Sequence, residues 1–164
     1  MSINVLSPNL SFTRGFRNDA LFSFRMDGVK YGSVCEFALR ITLPPAECVA
    51  YGPVLRELIP HFPFSEREYF RRKIDTSKVY YYGETFPYGS DEHNMLIKRA
   101  IRCKFFQNKY LLRVLIEETG NQPLVCIPYM GCALEVLKPE EFAELLSDIR
   151  AEELCHRKNS EACA

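Results

Sequence analysis

The sequence has no net charge, no paired-cysteine motif, no glycine-rich phosphate loop and no apolar run long enough to cross a bilayer. Twenty-one basic residues cancel twenty-one acidic ones, which removes any global electrostatic case for a nucleic-acid partner. Seven cysteines stand at 35, 48, 103, 126, 132, 155 and 163, without a single C-x-x-C pair. The histidines, His61, His93 and His156, are not spaced near them as zinc ligands. No metal and no cofactor is therefore expected. The odd cysteine count and the lack of a signal peptide predict reduced thiols in a cytoplasmic protein. The missing apolar run predicts no membrane partner. G-x-S-x-G and H-E-x-x-H are absent too, as are repeats and low-complexity segments.

What is present is ordinary globular material. With 164 residues and an apolar fraction of 47 %, one domain with a real core is expected. The chain divides into an irregular lead-in over 1–19, a domain over 20–154 and a mobile tail over 155–164. The strongest local pattern runs from Ser90 to Gly120. Ser90 caps a helix with Asp91 and Glu92 in its first turn, where free N–H groups favour negative charge. Leu96, Ile97, Ala100, Ile101, Cys103, Phe105 and Phe106 form its apolar face, with Lys98, Arg99, Arg102 and Lys104 expected mostly on the other side. A break near Gln107-Asn108-Lys109 precedes a second piece, closed by Gly120.

Upstream, Ile3–Leu6 reads as a short strand and residues 20–26 as another. Asp27-Gly28 is a turn pair, and Val29-Lys30-Tyr31 returns. Ser33 then caps a helix through Arg40. Short helices follow over 46–50, 54–59 and 65–72, punctuated by prolines. Arg71-Arg72-Lys73 reads either as a phosphate contact or as a solvated helix end. Residues 123–129 read as a buried strand, and 133–137 as a second apolar piece. Pro139 opens a last helix whose apolar face is Phe142, Leu145, Leu146 and Ile149, fading near Leu154.

Two places draw attention as sites. Five of the ten residues 79–88 are aromatic (Tyr80, Tyr81, Tyr82, Phe86 and Tyr88), with Glu84 among them. Such a loop either paves a pocket for a flat ring or plugs a gap between helices. Cys35-Glu36 lies at a helix start, where a thiol's pKa falls and an anion is favoured. From the residues alone, the class is α+β.

The motif D-G-x-x-Y-x-S-V (Asp27, Gly28, Tyr31, Ser33, Val34) is followed by A-I-x-x-K-F-x-Q-N (Ala100, Ile101, Lys104, Phe105, Gln107, Asn108). L-I-x-x-T-G follows (Leu115, Ile116, Thr119, Gly120). Together these resemble the YbiA-like, or NADAR, family over about residues 20–154. The resemblance implies a compact, mainly helical single α+β domain with a few short strands. It also implies cleavage of N-glycosidic bonds in riboflavin-pathway intermediates or ADP-ribosylated guanine.

The family's first motif continues S-x-E-H, whereas this chain has Ser33-Val34-Cys35-Glu36-Phe37. A gapless reading puts Cys35 at the glutamate position and Glu36 at the histidine. A one-residue slip makes Glu36 the carboxylate. Neither restores the family's lysine, and the asparagine and glycine of a G-x-N-x-L-G pattern near the C-terminus are missing. Arg150 matches an arginine of the last helix. The resemblance then implies Glu36 as the catalytic carboxylate, with Asp27 and Glu84 as assisting candidates. Tyr80, Tyr81 and Tyr82 would stack on substrate, Arg40 or Lys104 would meet its phosphate, and Cys35 would line the same site. A salt-bridged helix residue is the other reading of Lys104.

The implied partner is a small phosphorylated, ribose-containing ligand or an ADP-ribosylated molecule, with nucleic acid only as a modified substrate. Departures cluster where chemistry belongs and matches where packing belongs. A catalytically impaired relative binding a nucleotide-like ligand or a protein is thus the alternative.

Overall fold

The computed structural model describes residues 2–7, 9–46, 77–127 and 137–162. The elements run β1 (Ile3–Asn4), a 3-10 helix (Ser11–Phe16), β2 (Phe24–Met26), β3 (Val29–Tyr31), α1 (Val34–Thr42), β4 (Lys78–Tyr81) and β5 (Glu84–Pro87). They continue with α2 (Asp91–Gln107), α3 (Lys109–Glu117), β6 (Leu124–Val125) and α4 (Pro139–Ala162). The expected helices between 46 and 72, Arg71-Arg72-Lys73 and the piece at 133–136 lie outside the described residues.

α2 forms as its sequence dictates. The Ser90 hydroxyl accepts from His93 N at 3.3 Å, satisfying one orphan donor of the first turn. His93, Ile97, Ala100, Ile101, Lys104 and Phe105 then fall on one buried face. The helix stops at Asn108, whose φ of −113° and ψ of 86° are not helical. α3 buries Leu111, Leu112, Val114 and Leu115. Phe142, Leu145, Leu146 and Ile149 of α4 join the same core, with Phe16, Phe37 and Phe105 among its fully buried side chains.

Three two-stranded sheets edge this helical core among the described residues. β1 and β6 pair in parallel (Ile3 with Leu124), fastening the lead-in to the segment before α4. The β2–β3 hairpin sets Phe24 opposite Tyr31 and turns at Asp27-Gly28, with φ values of 49° and 80°. That left-handed pair suits the twist of a two-residue hairpin. The 79–88 stretch, expected as a loop, is a second hairpin: β4 and β5 pair Val79 with Phe86 and turn at Tyr82-Gly83, at φ 50° and 84°.

Other boundaries differ from expectation for local reasons. The strand expected over 20–26 begins only at Phe24, because Ala20 N and Phe22 N are spent on turn bonds to Arg17 O and Ala20 O. The strand expected over 123–129 is limited to Leu124–Val125 among its described residues. α4 does not fade at Leu154 but continues to Ala162. An Arg157–Glu153 pair at 3.0 Å, one turn apart, supports the extension.

Lys104 needs the largest correction. It was expected on the charged side of α2 and is instead fully buried. Its ammonium donates to Arg17 O at 2.6 Å, the carbonyl that ends the 3-10 helix, and lies near the rings of Phe22 and Phe105. A cation at a helix C-terminus is electrostatically favoured. The four methylenes meanwhile add to the apolar layer.

Candidate functional site

The start of α1 concentrates the chemistry. The Ser33 hydroxyl accepts from Glu36 N at 3.1 Å, and Glu36 Oε2 accepts from Gly32 N at 2.5 Å. This reciprocal arrangement is close to a capping box, in which a carboxylate at the third helical position reaches back over the first turn. A side chain at position 32 would place its Cβ 2.9 Å from Glu36 Oε2, so glycine leaves room for the contact. The other carboxylate oxygen of Glu36 pairs with Arg40 Nη2 at 2.7 Å, one turn along. Glu36 is 1 % exposed. A carboxylate so deeply placed is tolerated because a cation and a backbone donor compensate it.

Aromatic contacts lead outward from this pair. The Arg40 guanidinium lies 5.7 Å from the Tyr31 ring centroid. Tyr31 meets Phe37 edge-on at 5.1 Å, and Phe37 meets Tyr81 edge-on at 6.0 Å. Tyr81 reaches Asp27. Both sides of the Asp27 carboxylate are engaged there, one by the Tyr81 hydroxyl and one by Arg99 Nη2. The Tyr82 hydroxyl donates to Asp27 O at 2.6 Å. The tips of the two hairpins are thus fastened together and tied to α2. The Tyr81 hydrogen bond holds the Asp27 carboxyl below the usual range; burial opposes it, and the Arg99 contact adds to the lowering. Burial, followed by the neighbouring carboxylate, pushes the Tyr81 phenol up.

The candidates therefore separate into groups. Glu36, Arg40, Tyr81 and Asp27 fall on one continuous path of contacts through Tyr31 and Phe37. Cys35 is half-buried, with its backbone N–H donating to Asn18 O at 2.9 Å. Tyr80 is half-buried opposite Thr85, and Glu84 is exposed opposite Tyr81. Tyr82 is 70 % exposed at the hairpin tip, a position open to a stacking partner. Lys104 instead donates to Arg17 O, on the lead-in segment. Arg99 is the residue sequence reasoning missed. Nothing in its neighbourhood distinguishes it from Lys98 or Arg102, and its partner is far away in the chain.

The overall arrangement has a counterpart of known structure. The NMR structure of the E. coli protein YbiA superposes with a TM-score of 0.61, over 96 % of this chain and 87 % of that one, at 20 % identity. The chain has a YbiA-like fold. No family model matches the sequence, and no curated protein matches it. At that identity the likeness carries architecture alone. Among the described residues, no cluster of His, Cys, Asp and Glu could hold a metal ion, and no helix is long and apolar enough to cross a membrane.

Proposed function

We propose that this protein is an N-glycosidase-like hydrolase acting on the bond between ribose C1 and a base or amine nitrogen, in an ADP-ribosylated or phosphoribosyl substrate. The observation that carries the reading is a buried carboxylate, Glu36, at the start of α1 in a YbiA-like fold. Breaking the C1–N bond leaves its electron pair on the departing base and positive charge on the ribose. A carboxylate fixed beside C1 stabilises that charge, water adds its oxygen to C1, and a proton goes to the base. Arg40 supplies the phosphate contact in this reading. A phosphate that draws Arg40 toward itself leaves Glu36 Oε1 free to face the sugar, so binding and activation are coupled. Tyr81 and Tyr82 form the stacking surface for the base.

One observation favours the second reading, a ligand-binding relative with little or no turnover. Both oxygens of Glu36 are already engaged, by Gly32 N and by Arg40. A liquid-chromatography mass-spectrometry screen of ADP-ribosylated and phosphoribosyl substrates separates the two. Release of free base with wild type, lost in Glu36→Gln, supports hydrolysis. Saturable ligand binding without release supports the binding module.

A further inference from the structure

The outward face of α2 carries a feature that the Glu36 region does not use. An open cavity of about 440 Å³ runs along it. Among the described residues it is lined by Met95, Cys103, Phe106 and Gln107 and by the cations Lys98, Arg99 and Arg102, with no acid among these described lining residues. The acids that balance these cations sit on other elements. Glu141 and Glu152 of α4 hold Lys98 and Arg102 on one flank, and Asp27 of the β2–β3 turn holds Arg99 on the other.

We propose that this trough binds a small amphiphilic anion: an apolar body, flat or chain-like, carrying one anionic head group. Charge is the first argument: the charged groups among the described lining residues are three cations, each held by an acid that lies outside that described lining. The second is size, because 440 Å³ lies within the range of about 300–1,000 Å³ usual for small-molecule sites. The third is the chemistry of the floor. Met95 is 68 % exposed, and a thioether adapts to irregular apolar shapes. The Arg102 guanidinium lies 5.4 Å from the Phe106 ring centroid, leaving a cation beside an aromatic surface. The present ion pairs are weak competitors. The side chains of Lys98, Arg99 and Arg102 are 37 %, 51 % and 36 % exposed, and pairs of that kind contribute about 0–1 kcal/mol. An anionic head group exchanges one such partner for another at little cost, while its apolar body covers Met95 and Phe106.

The test uses the full chain and 8-anilinonaphthalene-1-sulfonate, which combines the two features required. Fluorescence titration and amide shift mapping are expected to give one saturable site, with perturbations concentrated on residues 95–107. Arg102→Gln and Lys98→Gln each weaken binding by about two- to fivefold, the loss of one exposed charge contact. Asp27→Asn tightens it several-fold by releasing Arg99 from its competitor. Amide spectra of each variant establish that the fold is kept, and Met95→Ser, at an exposed position, gives an independent loss of affinity. Perturbations centred elsewhere, or unchanged affinity in the charge variants, would overturn the proposal. So would equal binding of an uncharged naphthalene analogue, of inorganic phosphate alone, or of an acidic peptide in preference to the small anion.

Discussion

Gln107 pairs with both main-chain polar groups of Arg25: its Oε1 accepts from Arg25 N at 2.7 Å, and its Nε2 donates to Arg25 O at 2.7 Å. The side-chain amide acts as one more residue of sheet along the open edge of β2. Asn108 continues the contact by donating to Ser23 O at 3.0 Å. Together with Lys104 on Arg17, these residues bind the whole 17–25 segment to the end of α2. Gln107→Ala should destabilise the fold by roughly 1–2 kcal/mol, because the two hydrogen bonds are solvent-exposed. Denaturant unfolding measures the loss, and faster amide exchange across residues 23–26 locates it.

Lys104→Ala should cost more, about 2–4 kcal/mol, by opening a cavity against Phe22 and Phe105 and leaving the Arg17 carbonyl without this donor. Lys104→Met refills most of the volume and should recover part of the loss. A surface role for Lys104 predicts no significant change in either variant.

His93 gives the fold a pH dependence with a defined sign. It is fully buried, its Nδ1 accepts from Gly89 N at 2.9 Å, and its ring lies 4.7 Å from that of Tyr88. Burial lowers its pKa below the ordinary 6.5. The neutral form is therefore the folded form, and the unfolded chain takes up the proton first as the pH drops. The stabilisation is complete above 6.5 and is lost as the pH falls from there through the folded value. Unfolding midpoints measured between pH 7.5 and about 5 should decline, and His93→Gln should flatten that decline whatever its own stability.

The sequence made the scaffold legible where a residue's role is local. Ser33 and Ser90 announce their caps, Asp27-Gly28 announces its turn, and the face of α2 follows from helical spacing. The burial of Lys104 is not legible, because periodicity records its charge and not the Arg17 carbonyl waiting on the lead-in segment. The 79–88 hairpin is hidden in the sequence because its turn, Tyr82-Gly83, lacks the usual asparagine or aspartate before glycine. Asp27 stands out in the sequence only as a turn residue and a candidate assisting carboxylate. Its engagement by Tyr81 and Arg99 depends on contacts between distant segments, which no local pattern encodes. The K-F-x-Q-N motif that pointed to the YbiA-like fold is itself explained by packing: Phe105 fills the core, while Lys104, Gln107 and Asn108 clamp the 17–25 segment.

Glu36 carries both a structural and a proposed chemical role, and the two separate by substitution. Ser33→Ala removes the cap and should cost about 1 kcal/mol with no specific effect on turnover. Glu36→Gln keeps the shape but breaks the Arg40 pair, and a cost of roughly 1–3 kcal/mol is expected because Arg40 retains some access to water. Thermal unfolding of both variants checks these values and establishes the temperature at which folded Glu36→Gln can be assayed.

At that temperature, the most direct measurement is mass-spectrometric detection of free base and free ribose product from ADP-ribosylated and phosphoribosyl substrates. The account predicts release by the wild type and by Ser33→Ala, and loss of release in folded Glu36→Gln. Equal release by wild type and Glu36→Gln would contradict the role given to this carboxylate. No release by the wild type on either substrate class would contradict the hydrolase reading itself.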